Sequence, residues 1–296
     1  MDIRNVQKTG DMHYLYLPTA WCKSHKVSAG SKVTVTAASG GALLISPSIL
    51  EQKPKHLELS VSGLDADSIN KLIVACYINP ADSFRINLGK GIDYDTLLEQ
   101  KRLLAVELVE VEGQTITCES SISLSDPELL LRTMVSKMKN LVQMMTKHDS
   151  PELVQRYEEE IDRSRLLIDK AVIGFLSYNR QGKLRPIELH YLALIGKDLE
   201  RMTDHLIKLD AKEKIFLNAI LNLLTLLKES IEALTGPKRK FTHADALRFV
   251  QAVNKLREEP VTGIPSYYRV RIKHYFSNVS EVLLDWAITD KLEPQQ

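Results

Sequence analysis

Four carboxylates stand out by type and spacing. Glu158 and Asp162 are four residues apart, and so are Glu200 and Asp204. On an α-helix an i, i+4 pair lies on one face with about 6 Å between the two side-chain origins. The flanking residues place both pairs on helices. One apolar stripe runs Leu153, Tyr157, Ile161, Ile168, Val172 and Phe175, and another runs Ile195, Leu199, Met202, Leu206 and Leu209. Glu158 and Asp162 stand one residue past the first stripe, and Glu200 heads a pair beside the second, so both pairs sit at the margin of a buried seam. If the two helices pack antiparallel, the four carboxylates converge. Like charges drawn partly out of water are costly unless a cation neutralises them or protons are taken up. Such an oxygen-rich cluster suits Mg²⁺, Mn²⁺ or iron, with Zn²⁺ a further candidate. Left exposed, the same spacing is an ordinary solvated helix face. His205 follows Asp204 but is turned about 100° around the helix, which removes it from the first choice of ligands.

The elements that must carry these groups are legible downstream of Ser125. Ser125 with Pro127 and Glu128 forms a helix start, Ser150-Pro151 another, Pro186 a third, and Thr242 with Asp245 a capping box, while Gly236-Pro237 stops a helix and Pro265 precedes the last. The expected helices are 127–148, 151–178, 186–210, 212–235, 242–258 and 266–289. Six helices with short polar connections predict two antiparallel three-helix bundles in tandem, over 125–210 and 211–296.

Upstream the patterning changes. Residues 51–124 predict a small α/β module, with pieces at Leu57-Val61, Ala66-Tyr77, Ser83-Leu88, Tyr94-Leu103, Ala105-Glu112 and Gln114-Glu119. Its Gly89-Lys90-Gly91 lacks the spacing of a phosphate-binding loop and reads as a turn into a helix. Residues 1–50 are strand-like and basic, with Arg4, Lys8, Lys23, Lys26 and Lys32 facing only Asp2 and Asp11. Pro18 opens a short helix ending near Lys26, and Val33-Thr36 and Ala42-Ile45 flank Ser39-Gly40-Gly41 as a hairpin. Trp21 and Tyr14 are expected in its core.

The whole chain has 296 residues, 39 Lys plus Arg and 38 Asp plus Glu, so any nucleic-acid-binding surface must be local. The aromatic share of 6% favours helical cores of Leu, Ile and Val. Three cysteines without a CxxC fit a reducing cytoplasm and exclude a cysteine-based zinc site. The amino-terminal wording is not that of a signal peptide, and Ile215–Leu227 is too short and too interrupted to span a bilayer, so no membrane insertion is expected.

Two runs carry a resemblance. Tyr157-Glu158-Glu159-Glu160-Ile161-Asp162-Arg163 and Asp198-Leu199-Glu200-Arg201-Met202-Thr203-Asp204-His205 resemble the PhoU family. That resemblance implies two three-helix bundles, E/DxxxD motifs holding multinuclear metal clusters at Glu158, Asp162, Glu200 and Asp204, and a role in regulating phosphate uptake. The second bundle departs from the motif. It offers Tyr275-Phe276 and Ser280 on the sixth helix, and Val250 and Asn254 on the fifth, none of which replaces a carboxylate pair.

The first fifty residues resemble the AbrB/SpoVT swapped-hairpin DNA-binding domain. The wording is Ile3-Arg4, Val6-Gln7-Lys8-Thr9-Gly10, Leu17-Pro18 with Trp21, Gly30, Val33-Thr34-Val35 and Leu43-Leu44-Ile45-Ser46-Pro47. Lys26 stands where that family has glycine, and Ser31 where it has an acid. The resemblance implies an interleaved homodimer through residues 1–50, and the basic character of Arg4, Lys8 and Lys23 suits contact with DNA phosphates.

Together the segments are similar to the archaeal type of phosphate-uptake regulator. The expectation is a cytoplasmic, mainly α multidomain protein, a DNA-binding transcriptional regulator rather than an enzyme. A non-DNA-binding adaptor docked on the cytoplasmic ATPase of a phosphate transporter is one alternative. A metal-dependent hydrolase or oxidase is another, weakened by the absence of the Glu-x-x-His pairs of di-iron bundles.

Overall fold

Period-two and then period-3.6 patterning runs along the chain, and in the structure, a computed structural model, strand-bearing segments precede a run of long helices. It describes residues 3–37, 42–47, 55–79, 81–89, 109–119, 126–147, 150–178, 183–238, 240–256 and 260–292. The chain is mainly helical, with small β-sheets near the N-terminus and in the middle. It forms two compact units, residues 1–53 and 54–296.

The described residues of the first unit form two separate hairpins and one short helix. Strands β1 (Gln7–Thr9) and β2 (Met12–Tyr14) pair antiparallel around Gly10, whose φ of 59° is the left-handed turn conformation that glycine adopts without strain. Strands β3 (Thr34–Ala37) and β4 (Leu43–Ser46) pair with Val35 opposite Ile45, and the expected turn at Ser39–Gly41 lies outside the described residues. Helix α1 (Thr19–Ser24) follows Pro18, as proline's fixed φ dictates. No described residue of this unit is fully buried. Trp21 is half-buried against the His25 ring, whereas Tyr14, expected in a core, is exposed, because a two-stranded ribbon has no second layer to cover it.

In the second unit, β5 (His56–Val61), β6 (Ser83–Leu88), β7 (Val109–Glu112) and β8 (Thr115–Glu119) form one sheet in the order β5-β6-β8-β7. The β5–β6 pair is parallel and the others are antiparallel. Helix α2 (Ala66–Ile78), capped by Asp65 accepting from the Ser68 amide at 2.7 Å, makes the parallel crossover. Alternation sends Leu57, Leu59, Phe84, Ile86, Ile116 and Cys118 into one apolar layer with Ile69 and Ile73 of α2. Gly89 closes β6 against Ser62, where an added Cβ would meet Ser62 Cβ at 2.6 Å, so this glycine serves close packing. The expected helix at 94–103 and the start of the strand expected at 105–112 lie outside the described residues.

Six helices complete the unit: α3 (Pro127–Lys147), α4 (Pro151–Tyr178), α5 (Pro186–Leu206), α6 (Lys214–Thr235), α7 (His243–Asn254) and α8 (Ile264–Leu292). Helices α3, α4 and α5 pack on one another, α7 packs on α6 and α8, and α3–α6 and α5–α8 contacts join the two trios in one continuous core. The caps act as their sequence signals indicate. Thr242 and Asp245 form a reciprocal box, and the buried Glu188 accepts from the Arg185 amide at 2.6 Å. Ser125 lies outside the described residues.

Several ends differ from the expected ranges. Helix α6 starts at Lys214 rather than 212, α7 at His243 rather than 242, and α8 runs on to Leu292 rather than 289. Helix α5 stops at Leu206 rather than 210, because Lys208 and Leu209 donate to His205 and Leu206 in a tightened turn before a 3₁₀ segment at Ala211–Glu213 capped by Asp210. Helix α7 stops at Asn254 rather than 258. Helix α8 begins at Ile264, with Pro265 inside its first turn, and Ser266 Oγ accepts the Thr262 and Gly263 amides at 2.9 and 3.0 Å. No helix among the described residues is long and apolar enough to cross a membrane.

Candidate metal centre

Helices α4 and α5 approach closely at Gly196, where an added Cβ would lie 3.4 Å from Ile168 Cδ1. One and two turns further along α5 are Glu200 and Asp204. Asp162 of α4 joins them, and one carboxylate oxygen from each of the three lies within 4.8 Å of the others. Asp162 is only 9% exposed, while Glu200 and Asp204 are half-buried. Asp204 Oδ1 is shielded from solvent and has no hydrogen-bond partner among the described residues. A buried carboxylate oxygen left unbonded costs roughly 1–3 kcal/mol or more, so it calls for a cation or a proton.

Glu158, one turn before Asp162, is half-buried and falls outside this close set. The structure thus brings together three of the four carboxylates singled out by spacing. No other group of three His, Cys, Asp or Glu side chains is gathered so closely among the described residues. The donors are all oxygen, which fits Mg²⁺, Mn²⁺ or iron better than Zn²⁺, whose protein sites draw on Cys and His. Three carboxylates can fix a cation between two helices while leaving positions for water.

In the second trio the corresponding positions carry no carboxylate. Phe276 is fully buried, Ser280 is buried and donates to the Ser277 carbonyl at 2.7 Å, and Asn254 is exposed.

Other charges flank the seam. Asp169 of α4 pairs with Arg165 at 3.0 Å; burial pushes its carboxyl above the usual range, against the pull of Arg165 and Lys197. Burial likewise raises Asp198, opposed by a 3.5 Å hydrogen bond from Asn278 of α8. Lys137 donates to Glu160 at 2.7 Å and holds that carboxyl below its ordinary value.

Spacing did not indicate the surroundings of His205. Its ring stacks on Tyr275 at 5.8 Å and lies 6.0 and 5.9 Å from Tyr267 and Tyr268. Burial and the nearby Arg271 guanidinium lower the imidazole's pKa, while Asp204 raises it. The Tyr267, Tyr268, Tyr275 sequence pattern was the available signal, since these residues recur on one side of α8.

In the N-terminal unit Arg4, Lys8 and Lys23 are all exposed. Arg4 Nη1 donates to the Tyr16 carbonyl at 3.3 Å, Lys8 lies in β1 opposite His13, and Lys23 is in the last turn of α1. The apolar side chains of Ile3, Val6, Met12, Leu15, Tyr16 and Leu43 are more than half exposed.

In comparisons with known proteins, no family model, no curated protein and no solved structure matches this chain.

Proposed function

We propose that the chain is a cytoplasmic, homodimeric, DNA-binding regulator of phosphate uptake whose helical part carries a regulatory metal ion. The observation that carries this reading is the convergence of Asp162, Glu200 and Asp204 from α4 and α5, because these residues belong to the two runs that resemble the PhoU motifs. Asp162, Glu200 and Asp204 would hold the ion, with Mg²⁺, Mn²⁺ or iron preferred by the donor chemistry. The ion would supply positive charge that ties α4 to α5, so that its loss loosens the seam.

The AbrB-like reading of the N-terminal unit is supported by its exposed basic residues and by the absence of a fully buried residue among its described residues. A second copy supplies the missing layer, as two-stranded ribbons require. Arg4, Lys8 and Lys23 contact DNA phosphates in this reading, and the helical part is the surface offered to a transporter's cytoplasmic ATPase.

The test is a gel shift of the full chain on DNA from upstream of phosphate-transport genes, with and without residues 1–50. Retardation by the full chain and none by the truncated one is the expected result. Equal retardation by both removes the DNA-binding assignment, and none by either moves the reading to the transporter adaptor.

A further inference from the structure

The apolar layer beneath α2 uses only one face of the four-stranded sheet. The opposite face carries every other residue of β5, β6 and β8, and there a cavity of about 260 Å³ opens, lined by His56, Glu58, Ser83, Arg85 and Thr117. These residues are in register: His56 lies opposite Ser83, and Glu58 opposite Arg85, which in turn lies opposite Thr117.

His56, Glu58 and Arg85 are exposed on this face, and the opposed charges of the cross-strand neighbours Glu58 and Arg85 could attract one another. Instead Glu58 Oε1 accepts from Asn87 Nδ2 at 3.1 Å. The Arg85 side chain makes no hydrogen bond or ion pair among the described residues, which leaves its planar fork of donors open to a ligand. Ser83 Oγ and His56 Nδ1 share a hydrogen bond across the two strands, and both residues line the same cavity as Arg85.

We infer that this cavity binds a small zwitterion of the α-amino acid type, with its carboxylate on Arg85 and its ammonium on Glu58. An unpaired guanidinium is a bidentate receptor for a carboxylate, and the hydroxyls of Ser83 and Thr117 offer further hydrogen bonds. Glu58, next to Arg85 in the same row, repels a dianion but accepts an ammonium. The cavity thus sets one cation beside one anion, and it matches a ligand of zero net charge. Its volume of about 260 Å³ lies below the roughly 300–1,000 Å³ of drug-sized ligand pockets, which suits a smaller ligand of amino-acid size. This site is independent of the metal reading and of DNA binding.

The experiment is saturation-transfer NMR on the full chain at millimolar concentrations of each common amino acid, of acetate, and of inorganic phosphate. Transfer to at least one amino acid, with neither acetate nor phosphate displacing it at equal concentration, is the expected result. Arg85→Gln and Glu58→Gln, both on the exposed face, should each weaken that binding by about tenfold or more, the scale of one lost charge-assisted contact. In the wild type, amide shifts on titration should move in β5, β6 and β8, a readout that does not depend on how the variants fold. Absence of transfer to any amino acid, displacement by phosphate, or shifts confined to other elements would overturn the assignment.

Discussion

The ammonium of Lys170, on α4, sits 3.8 Å from the ring centroid of Tyr77 on α2. Lys170 is buried, so its charge meets an aromatic face in a poorly solvated seam between the α/β module and the helices. Cation–π contacts of this kind contribute on the order of 1–2 kcal/mol when desolvated. A double-mutant cycle of Lys170→Met and Tyr77→Leu, measured by urea denaturation, should give a coupling of that size. Additive single effects would show that the contact contributes nothing.

The double change Glu200→Gln with Asp204→Asn should remove metal binding. With wild type, excess Mn²⁺ should raise the melting temperature, a ligand at one hundred times its dissociation constant adding about 2.7 kcal/mol, and chelator should reverse the gain. The variant should respond to neither. On a solvated face the change would alter stability by only a few tenths of a kcal/mol and metal content not at all. Metal analysis after gel filtration distinguishes the two.

Affinity for DNA should fall steeply with salt. If Arg4, Lys8 and Lys23 each neutralise one phosphate per chain, the dimer's plot of log K against log salt has a slope of about −5. Each of Arg4→Gln, Lys8→Gln and Lys23→Gln should make the slope shallower by about two, because both chains lose a contact. Unchanged slopes in all three would remove these residues from the interface.

Asp169 gives a signed pH effect. Its folded-state pKa is raised by burial, so the cost of ionising it is present at neutral pH and disappears as pH falls through that raised value toward 3.8. Wild type should therefore gain stability relative to Asp169→Asn over that acidic window. Parallel stability curves for the two proteins would contradict the burial effect.

Helix positions were legible because apolar steps of three and four coincide with prolines and capping boxes, so α4 was read to the residue. The ends of α5 and α7 were not, since a helix can tighten into a 3₁₀ turn without changing its apolar stripe. Periodicity placed Asp162, Glu200 and Asp204 on facing helices, but it could not say which rotamers meet, and Glu158 falls outside the close set. Lys26 stands where the AbrB-like wording has glycine. The structure gives it a φ of 55°, the left-handed region that makes glycine the ordinary occupant. The sheet's ligand-sized cavity had no sequence signal, because it depends on register between strands far apart in the chain.

Leu166, one turn beyond Asp162 on α4, belongs to the apolar layer of the α/β module, where it is 7% exposed. The module's sheet is fully synthesised before Leu166 leaves the ribosome, and at about 5–20 residues per second the delay lasts several seconds. During that interval a nascent chain carries an incomplete apolar layer beside unpaired strand edges. Holding chaperones would meet this chain at that stage of translation, and a gene cut between the module and the helices would make the transient exposure permanent.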